Sequence, residues 1–251
     1  MTNGIEFIKE KSFMRASELN IDLNKHVLYS PEMEKVIREK LSGKYDSGGA
    51  DKVWEKVQLQ YAAFLKDLPY LGGKKNIHNG AGGTYDCIML FAYYEVLDPK
   101  PSINELYEMN VAVFLPSFQK LAGVANANKP LLLRLLHLAF MMTAKSKDNK
   151  SPNQPTGYIM DVEPYSKTEG VRYHFHRCPI AEFAKEHGYL DIMPAFCNGD
   201  YPAMDVINGA LIRRHTCANS NICDYWIVGD QSDIAKEHPR KTDEKGYWYN
   251  D

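Results

Sequence analysis

The sequence is poor in the features that mark several protein classes. Five cysteines in 251 residues are too few for a disulfide scaffold, and their number is odd. Lysine and arginine number 30 against 32 aspartates and glutamates, so there is no basic excess for a phosphate backbone. We therefore expect no nucleic-acid partner. The 44 % of hydrophobic and 25 % of charged residues are typical of globular proteins and exclude disordered or fibrous chains.

Long apolar runs are also missing. The longest, Pro130–Thr143, is interrupted by Arg134 and His137 and is shorter than the roughly 18 apolar residues of a membrane-spanning helix. The N-terminus has no basic start followed by an apolar core, as a signal peptide would have. These absences predict a cytoplasmic protein without a membrane partner, in which cysteines stay reduced. Thiol chemistry or metal binding is then more plausible than disulfides.

What the sequence does contain is helical periodicity in its first 150 residues. Ser30 and Pro31 are typical of a helix start and predict a helix as far as about Leu41. Apolar spacing predicts further helices over residues 51–68, 84–97 and 102–109, the last extending toward 121 with Pro116 as a break or kink. Pro130–Ala144 is apolar nearly all round, which predicts a buried central helix.

After the polar residues 145–155 the pattern changes to short strands and helices. Strands are predicted at 157–162, 171–176, 211–216 and 223–228, with helices at 179–187, 190–196 and 203–207. This order predicts an α+β fold, in which an N-terminal helical layer is followed by a small antiparallel sheet with helices on one face. The predicted units are residues 1–150, a cysteine-bearing unit at 151–231, and a charged tail at 232–251.

Cys178 has the strongest case for chemistry. It follows the predicted strand that holds His176 and Arg177, and it precedes Pro179, the first residue of the next helix. A cysteine that caps a helix lies at the positive end of the helix dipole, which lowers a thiol pKa. Alternation along the strand places His176 and Cys178 on one face, where an imidazole can serve as a base. The alternative is an exposed, inert face.

A second group combines a thiol, an amide and a carboxylate within four residues. Cys197 is a second candidate nucleophile, Asn198 can donate to a developing oxyanion, and Asp200 can transfer a proton. The alternative for Asp200 is an ordinary helix cap. Cys223 begins the last predicted strand, on a face that lines either the core or a pocket, and is a candidate substrate-binding residue.

The cysteines also allow two other interpretations, namely structural roles and a zinc site. Cys87, inside an apolar helix, and Cys217, at a turn, are interpreted as structural. A zinc site built from Cys178, Cys197, Cys223 and a histidine remains an alternative, although the spacing does not match a CxxC knuckle. Beyond that alternative, no metal and no cofactor are expected.

A glycine-rich segment precedes the helix that begins near Thr84. Residues 71–84 hold five glycines, and the free amides of a helix N-terminus bind anions. No Gly-Lys-Ser/Thr follows at the spacing of a nucleotide-binding loop. The segment predicts a site for a substrate carboxylate, with Asn79, Gly82, Gly83 and Thr84 as its binding residues. The alternative is a flexible loop.

Several short motifs occur in an order that resembles a known family. They are Phe175-His176-Arg177-Cys178-Pro179, then Cys197 with Asp200, then Arg213-x-x-Thr216, and finally Cys223-Asp224-Tyr225. Together with Leu68-Pro69-Tyr70-Leu71-Gly72-Gly73, they resemble the L-2-amino-thiazoline-4-carboxylic acid hydrolase family. The resemblance covers roughly residues 51–228, and the last third also looks like the 4-vinyl-reductase type of small-ligand domain. The turn before Cys223 lacks the glycine that is usual in the family.

The resemblance implies a cysteine-dependent hydrolase that breaks a carbon–nitrogen bond in a small cyclic amidine and opens an aminothiazoline ring to N-carbamoyl-cysteine. The expected partner is a small molecule that bears a carboxylate, and a homo-oligomer stays open. In this hypothesis Cys178 or Cys197 attacks, Asn198 or backbone amides stabilise the intermediate, and Asp200 or His176 moves protons. A small-ligand-binding module without turnover is the alternative.

Overall fold

A computed structural model describes residues 28–68, 83–147 and 158–251. It confirms the predicted α+β fold, with helices first and a small antiparallel sheet after them. The helices are α1 (Pro31–Lys44), α2 (Ser47–Asp67), α3 (Gly83–Val96), α4 (Ile103–Gln119), α5 (Pro130–Lys147), α6 (Pro179–His187), α7 (Pro194–Cys197), α8 (Asp200–Val206) and α9 (Asp233–Glu237). The strands are β1 (Ile159–Val162), β2 (Val171–Arg177), β3 (Gly209–Ile212), β4 (Cys223–Gly229), β5 (Arg240–Thr242) and β6 (Trp248–Asn250).

The starts of the early helices follow from their capping residues. The Ser30 hydroxyl accepts a hydrogen bond from the Met33 amide at 3.1 Å, and Ser102 does the same for Glu105 in α4. These bonds satisfy amides that have no partner within the helix. Helix α4 continues through Pro116 to Gln119, so the predicted extension of this helix is confirmed.

The first hydrophobic core lies between α1, α2 and α3 and also takes in α6. Ile37, Val57 and Ile88 are fully buried in it. Phe183 of α6 packs edge-on against Phe64 of α2, with ring centroids 5.0 Å apart. The core therefore contains residues from both sides of the predicted boundary at residue 150.

The four-stranded sheet has the order β1-β2-β4-β3, and every neighbouring pair is antiparallel. In the central pair, Tyr173 lies opposite Tyr225 and Phe175 lies opposite Cys223. The two tyrosine rings stack with centroids 4.6 Å apart. This register sets the start of β4 beside the end of β2, so that Cys223 and Cys178 meet at one end of the sheet.

Helix α5 covers the sheet with one of its faces only. Leu133 and Ala144 are buried, and Phe140 packs on Tyr173 with ring centroids 4.4 Å apart. On the opposite face Leu131 and Met142 are 69 % and 73 % exposed. The prediction of a helix buried all round was therefore wrong, because the sheet is the only layer that the described residues pack against α5.

The charged C-terminal region contains ordered structure. Strands β5 and β6 pair as a hairpin. Most charged side chains of residues 233–245 are exposed, but Tyr247 and Asn250 are each only 3 % exposed. Throughout the described ranges, no helix is both long and apolar enough to cross a membrane.

Candidate active site

Cys178 is the N-cap of α6, as predicted from Pro179. Its side chain packs against the first core. Burial raises the pKa of the Cys178 thiol to about 12, although the backbone amides of Ala181 and Ile180 lower it. The predicted lowering of this pKa was wrong, because the loss of hydration outweighs the helix amides.

The two residues before Cys178 are engaged elsewhere. The Arg177 Nε donates to both carboxylate oxygens of Glu182, at 2.9 and 2.8 Å. The His176 imidazole contacts the Asp161 carboxylate across the β1–β2 pair. No contact joins His176 to Cys178 within the described ranges, since the strand ends at Arg177 and the chain then turns into α6. His176 is thus paired with a carboxylate of β1 on the opposite face of the sheet from Tyr173.

Cys197 and Asp200 are held by a buried arginine. The Arg213 guanidinium donates to the Cys197 carbonyl at 2.6 Å and to the Asp200 Oδ2 at 2.7 Å. The Tyr225 hydroxyl donates to the same Asp200 oxygen at 2.7 Å. Both donors therefore fix one carboxylate oxygen, and the Asp200 side chain remains 44 % exposed. The carboxylate can accept a further proton or a ligand through its second oxygen.

Arg213 is the functional residue that sequence reasoning missed, although it belongs to the Arg213-x-x-Thr216 motif. Its side chain is 1 % exposed. Burial by itself lowers the pKa of this guanidinium, but Tyr225, Cys223 and Asp200 raise it well above its ordinary value, so Arg213 stays charged. A buried arginine needs such partners. Its Nε has no hydrogen-bond partner among the described residues. The sequence signal that could have identified Arg213 is its place at the end of a strand, just before a polar turn.

The thiols of Cys178, Cys197 and Cys223 lie close enough to influence one another electrostatically. All five cysteines are free. Burial raises the thiol pKa of each, and for Cys197 and Cys223 the positive charge of Arg213 opposes that rise. Asp200 interacts electrostatically with all three predicted site cysteines, and Arg213 interacts with Cys197 and Cys223. We call these five residues the thiol cluster.

Asn198 has a bracing role in this structure. Its Nδ2 donates to the Gly246 carbonyl at 2.8 Å, and its Oδ1 accepts from the Trp248 amide at 2.9 Å. These bonds attach the end of α7 to the turn and second strand of the C-terminal hairpin. The side chain that was a predicted oxyanion donor therefore binds backbone at both ends of its amide.

The start of α3 borders the thiol cluster. The Thr84 hydroxyl and the Tyr158 hydroxyl are 2.7 Å apart in a buried hydrogen bond. Tyr158 and Cys87, one turn along α3, both interact electrostatically with Cys178. Of the four predicted carboxylate-binding residues, Thr84 is linked to Cys178 through Tyr158, Gly83 precedes it at the start of α3, and Asn79 and Gly82 lie outside the described residues.

The alternative zinc site is not assembled. Among the residues that the structure describes, no three histidine, cysteine, aspartate or glutamate side chains are grouped so that they could hold a metal ion. Cys178, Cys197 and Cys223 influence one another electrostatically, but among the described residues they do not form such a group even without a histidine. The zinc prediction is therefore not supported.

Two clefts flank the hairpin on the outer side of the thiol cluster. One, of about 560 Å³, is lined by Cys217, the turn 218–221, Tyr247 and two lysines, Lys185 and Lys245. The other, of about 330 Å³, is lined by Arg213, His215 and residues 247–251. Tyr247 lines both, and its hydroxyl interacts with Cys197 and Arg213. Both volumes lie within or near the range of small-molecule sites.

Comparison with known proteins gives a family. A model of the family described as L-2-amino-thiazoline-4-carboxylic acid hydrolase matches residues 88–227, which is more than half of the chain. The chain belongs to this hydrolase family. The match includes the thiol cluster, so the predicted resemblance is confirmed. No curated protein and no solved structure matches the chain.

Proposed function

We propose that the protein hydrolyses a small cyclic amidine that bears a carboxylate, of the 2-aminothiazoline-4-carboxylate type, through a cysteine nucleophile. The observation that supports this most directly is the thiol cluster, in which three thiols share a buried site with a half-exposed carboxylate. Asp200 is oriented there by a charged arginine. The family membership supplies the reaction class, namely hydrolysis.

In this proposal Cys178 attacks the amidine carbon. Its thiol is protonated at neutral pH because burial raises its pKa, so the proton must leave as the carbon–sulfur bond forms. Asp200 accepts that proton through its second oxygen. The backbone amides of Ala181 and Ile180 face the sulfur and stabilise negative charge on it during the transfer.

Ring opening and hydrolysis then follow with one water consumed. The tetrahedral carbon expels one ring atom, which takes up a proton, and leaves the amidine carbon bound to the enzyme sulfur. Water adds to that carbon, the bond to Cys178 breaks, and the thiol regains a proton. Arg213 holds Asp200 in place through both proton transfers. The amides at the start of α3, at Gly83 and Thr84, bind the substrate carboxylate, and Asn79 and Gly82 precede them in sequence.

The product identifies the bond that breaks. In an aminothiazoline ring, cleavage of the bond between the amidine carbon and the ring sulfur gives N-carbamoyl-cysteine with a free thiol. The predicted cleavage of the bond to the ring nitrogen gives the S-carbamoyl isomer with a free amine. An N-carbamoyl product therefore requires carbon–sulfur cleavage. We expect one free thiol per turnover, because a thiolate leaves more readily than an unprotonated amine. Titration of the released thiol, together with mass spectrometry of the product, measures the number of thiols per turnover.

The decisive experiment compares single cysteine variants. Cys178→Ser and Cys197→Ser are assayed for ring opening, with Cys217→Ser as the control, because Cys217 lines the outer cleft and its serine can still donate to the Phe175 carbonyl. We expect Cys178→Ser to lose at least about 100-fold in kcat and Cys217→Ser to keep most activity. Peptide mass spectrometry after acid quench of the wild type with substrate should place an adduct on Cys178. Full activity in both the Cys178 and Cys197 variants would exclude both cysteines as the nucleophile and overturn the proposal.

A ligand-binding module without turnover is the second candidate. The observation that favours it is that burial raises the pKa of every cysteine thiol in the chain, which makes resting nucleophiles weak. Calorimetric binding of 2-aminothiazoline-4-carboxylate with recovery of the unchanged compound would support this module against the hydrolase.

A further inference from the structure

The outer face of α5 carries an uninterrupted apolar stripe. Six of the eight large hydrophobic side chains that are exposed in the described residues fall between positions 121 and 142. Four of them lie on α5, and their exposed fractions are 69 % for Leu131, 53 % for Leu135, 51 % for Leu138 and 73 % for Met142. We call these four residues the α5 stripe. Large exposed apolar patches mark interaction sites.

The α5 stripe is opposite the face of α5 that packs on the sheet. Leu133, Phe140 and Ala144 contact the second core, half a helical turn away from the stripe. A helix with apolar residues on two opposed faces is typically covered on both. The described residues cover one face, and none of them forms a second layer over the other.

The spacing of the stripe indicates what supplies that layer. Its residues are separated by four, three and four positions, which is the a/d repeat of a helix that packs against another helix. The order four-three-four reads the same in both directions. An antiparallel copy of α5, related by a two-fold axis between Leu135 and Leu138, therefore places Leu131 against Met142 and Leu135 against Leu138.

The charges of α5 fit a second copy as well. The helix contains no acidic residue, so a symmetric pair forms no salt bridge across the seam. The same symmetry sets Arg134 opposite Ala139 of the second copy, so no like charges face each other. We propose that the α5 stripe is the contact surface of a symmetric homodimer of this chain. The stripe offers on the order of 300 Å² of apolar surface per copy, which is small for a permanent dimer, so association in the micromolar range is expected.

Sedimentation velocity of the full chain across about 1 to 200 µM tests this. The wild type should shift from 28.6 kDa toward twice that mass as its concentration rises. Leu135→Lys should weaken association by at least about 30-fold, since a charge is then buried at the centre of the seam. The control is Leu59→Lys, a 72 % exposed leucine on α2, which should dimerise like the wild type.

A wild type that stays monomeric throughout this range, or a dimer that Leu135→Lys leaves intact, overturns the proposal. Hydroxyl-radical labelling of the wild type provides a measurement without substitutions. Met142 should become protected as concentration rises, whereas the fully buried Met33 should stay unlabelled at every concentration. Met142 protection that is independent of concentration, in samples that sediment as monomers, assigns the stripe to another segment of the same chain. Co-sedimentation of monomers with anionic vesicles assigns it to a lipid surface instead. Each of these two results also contradicts a homodimer.

Discussion

Two regions of the molecule reverse the usual distribution of polar and apolar groups. In the thiol cluster a charged arginine is 1 % exposed, and on the α5 stripe a methionine is 73 % exposed. Lone exposed leucines are ordinary, but buried charges and contiguous apolar stripes are not. Hydrogen bonds within the chain stabilise the buried arginine of the thiol cluster. The α5 stripe has no partner among the described residues. The first points to chemistry within one chain, and the second points to contact between chains.

The largest expected effect comes from breaking the ion pair between Asp200 and Arg213. Asp200→Asn leaves the Arg213 charge buried without its carboxylate, and should lower the free energy of unfolding by about 3 kcal/mol. It should also lower kcat at least about 100-fold, because proton transfer is lost. The control is Asp205→Asn on the same helix, whose carboxylate pairs with Arg240 at 2.8 Å near the surface and should contribute less than about 1 kcal/mol. Urea denaturation and ring-opening assays measure both.

Truncating a side chain should change the free energy of unfolding much more on the inner face of α5 than on its outer face. Phe140→Ala removes a ring that packs on Tyr173, and we expect a loss of about 3 kcal/mol in unfolding free energy. Leu138→Ala on the outer face should change this value by less than about 0.5 kcal/mol at dilute, monomeric concentrations. Equal losses for both variants would mean that the outer face is already covered.

Substitution of Asn250 tests whether the C-terminal hairpin positions Arg213 of the thiol cluster. Its side-chain oxygen accepts from the Arg213 amide and from the Tyr201 hydroxyl, both at 3.2 Å. Asn250→Ala leaves the Arg213 amide unsatisfied, whereas the Tyr201 hydroxyl keeps its bond to the Trp248 carbonyl at 3.0 Å. The unfolding free energy should fall by about 2 kcal/mol. If Asn250 positions Arg213, kcat falls while KM changes little, and Asn250→Asp, which keeps the acceptor, recovers most activity. A variant with wild-type kcat shows that the hairpin only stabilises the fold.

The buried thiols predict a pH dependence of stability. The pKa of Cys178 is raised to about 12, against about 8.5 for an unfolded cysteine. The folded state therefore holds its proton while the unfolded state loses one, so stability is complete below pH 8.5 and declines from there toward pH 12. Denaturation at pH 7.5, 8.5 and 9.5 should show this decline, and Cys178→Ser should reduce its slope. A slope that is the same in both proteins contradicts burial of this thiol.

The smallest effect is expected outside both regions. His176 pairs with Asp161 on the exposed face of the sheet, so His176→Gln should change stability by less than about 0.5 kcal/mol and activity by less than about twofold. A large loss of activity would restore His176 as the proton-transfer residue in place of Asp200.

Local signals explain which parts of the fold could be predicted. Helix α6 was predicted residue for residue, because Pro179 fixes its start and Gly188, with φ of +78°, fixes its end. Alternation and turns predicted the four strands of the sheet, although β3 spans Gly209–Ile212 instead of residues 211–216, and the β5–β6 pair was not predicted. The outer face of α5 was not predictable, since an all-round apolar pattern does not say what covers each face.

The candidate site was predictable in membership more than in roles. The motifs singled out Cys178, Cys197, Cys223 and Asp200, and these residues interact electrostatically, while their role as a site stays a prediction. The rise in thiol pKa depends on tertiary burial, which no local pattern contains. Arg213 and Asn250 are 37 residues apart, so their pairing leaves no trace in sequence spacing.

The hairpin contacts have a consequence for folding kinetics. Bonds from Asn198, Tyr201 and Arg213 reach residues 246–250 across separations of 37 to 50 positions. Contacts this distant form slowly, because a long loop must close before they contribute. A refolding chain should therefore regain its far-ultraviolet helical signal before it regains ring-opening activity. The interval between the two measures how late the C-terminal hairpin docks against Arg213 and Asn198.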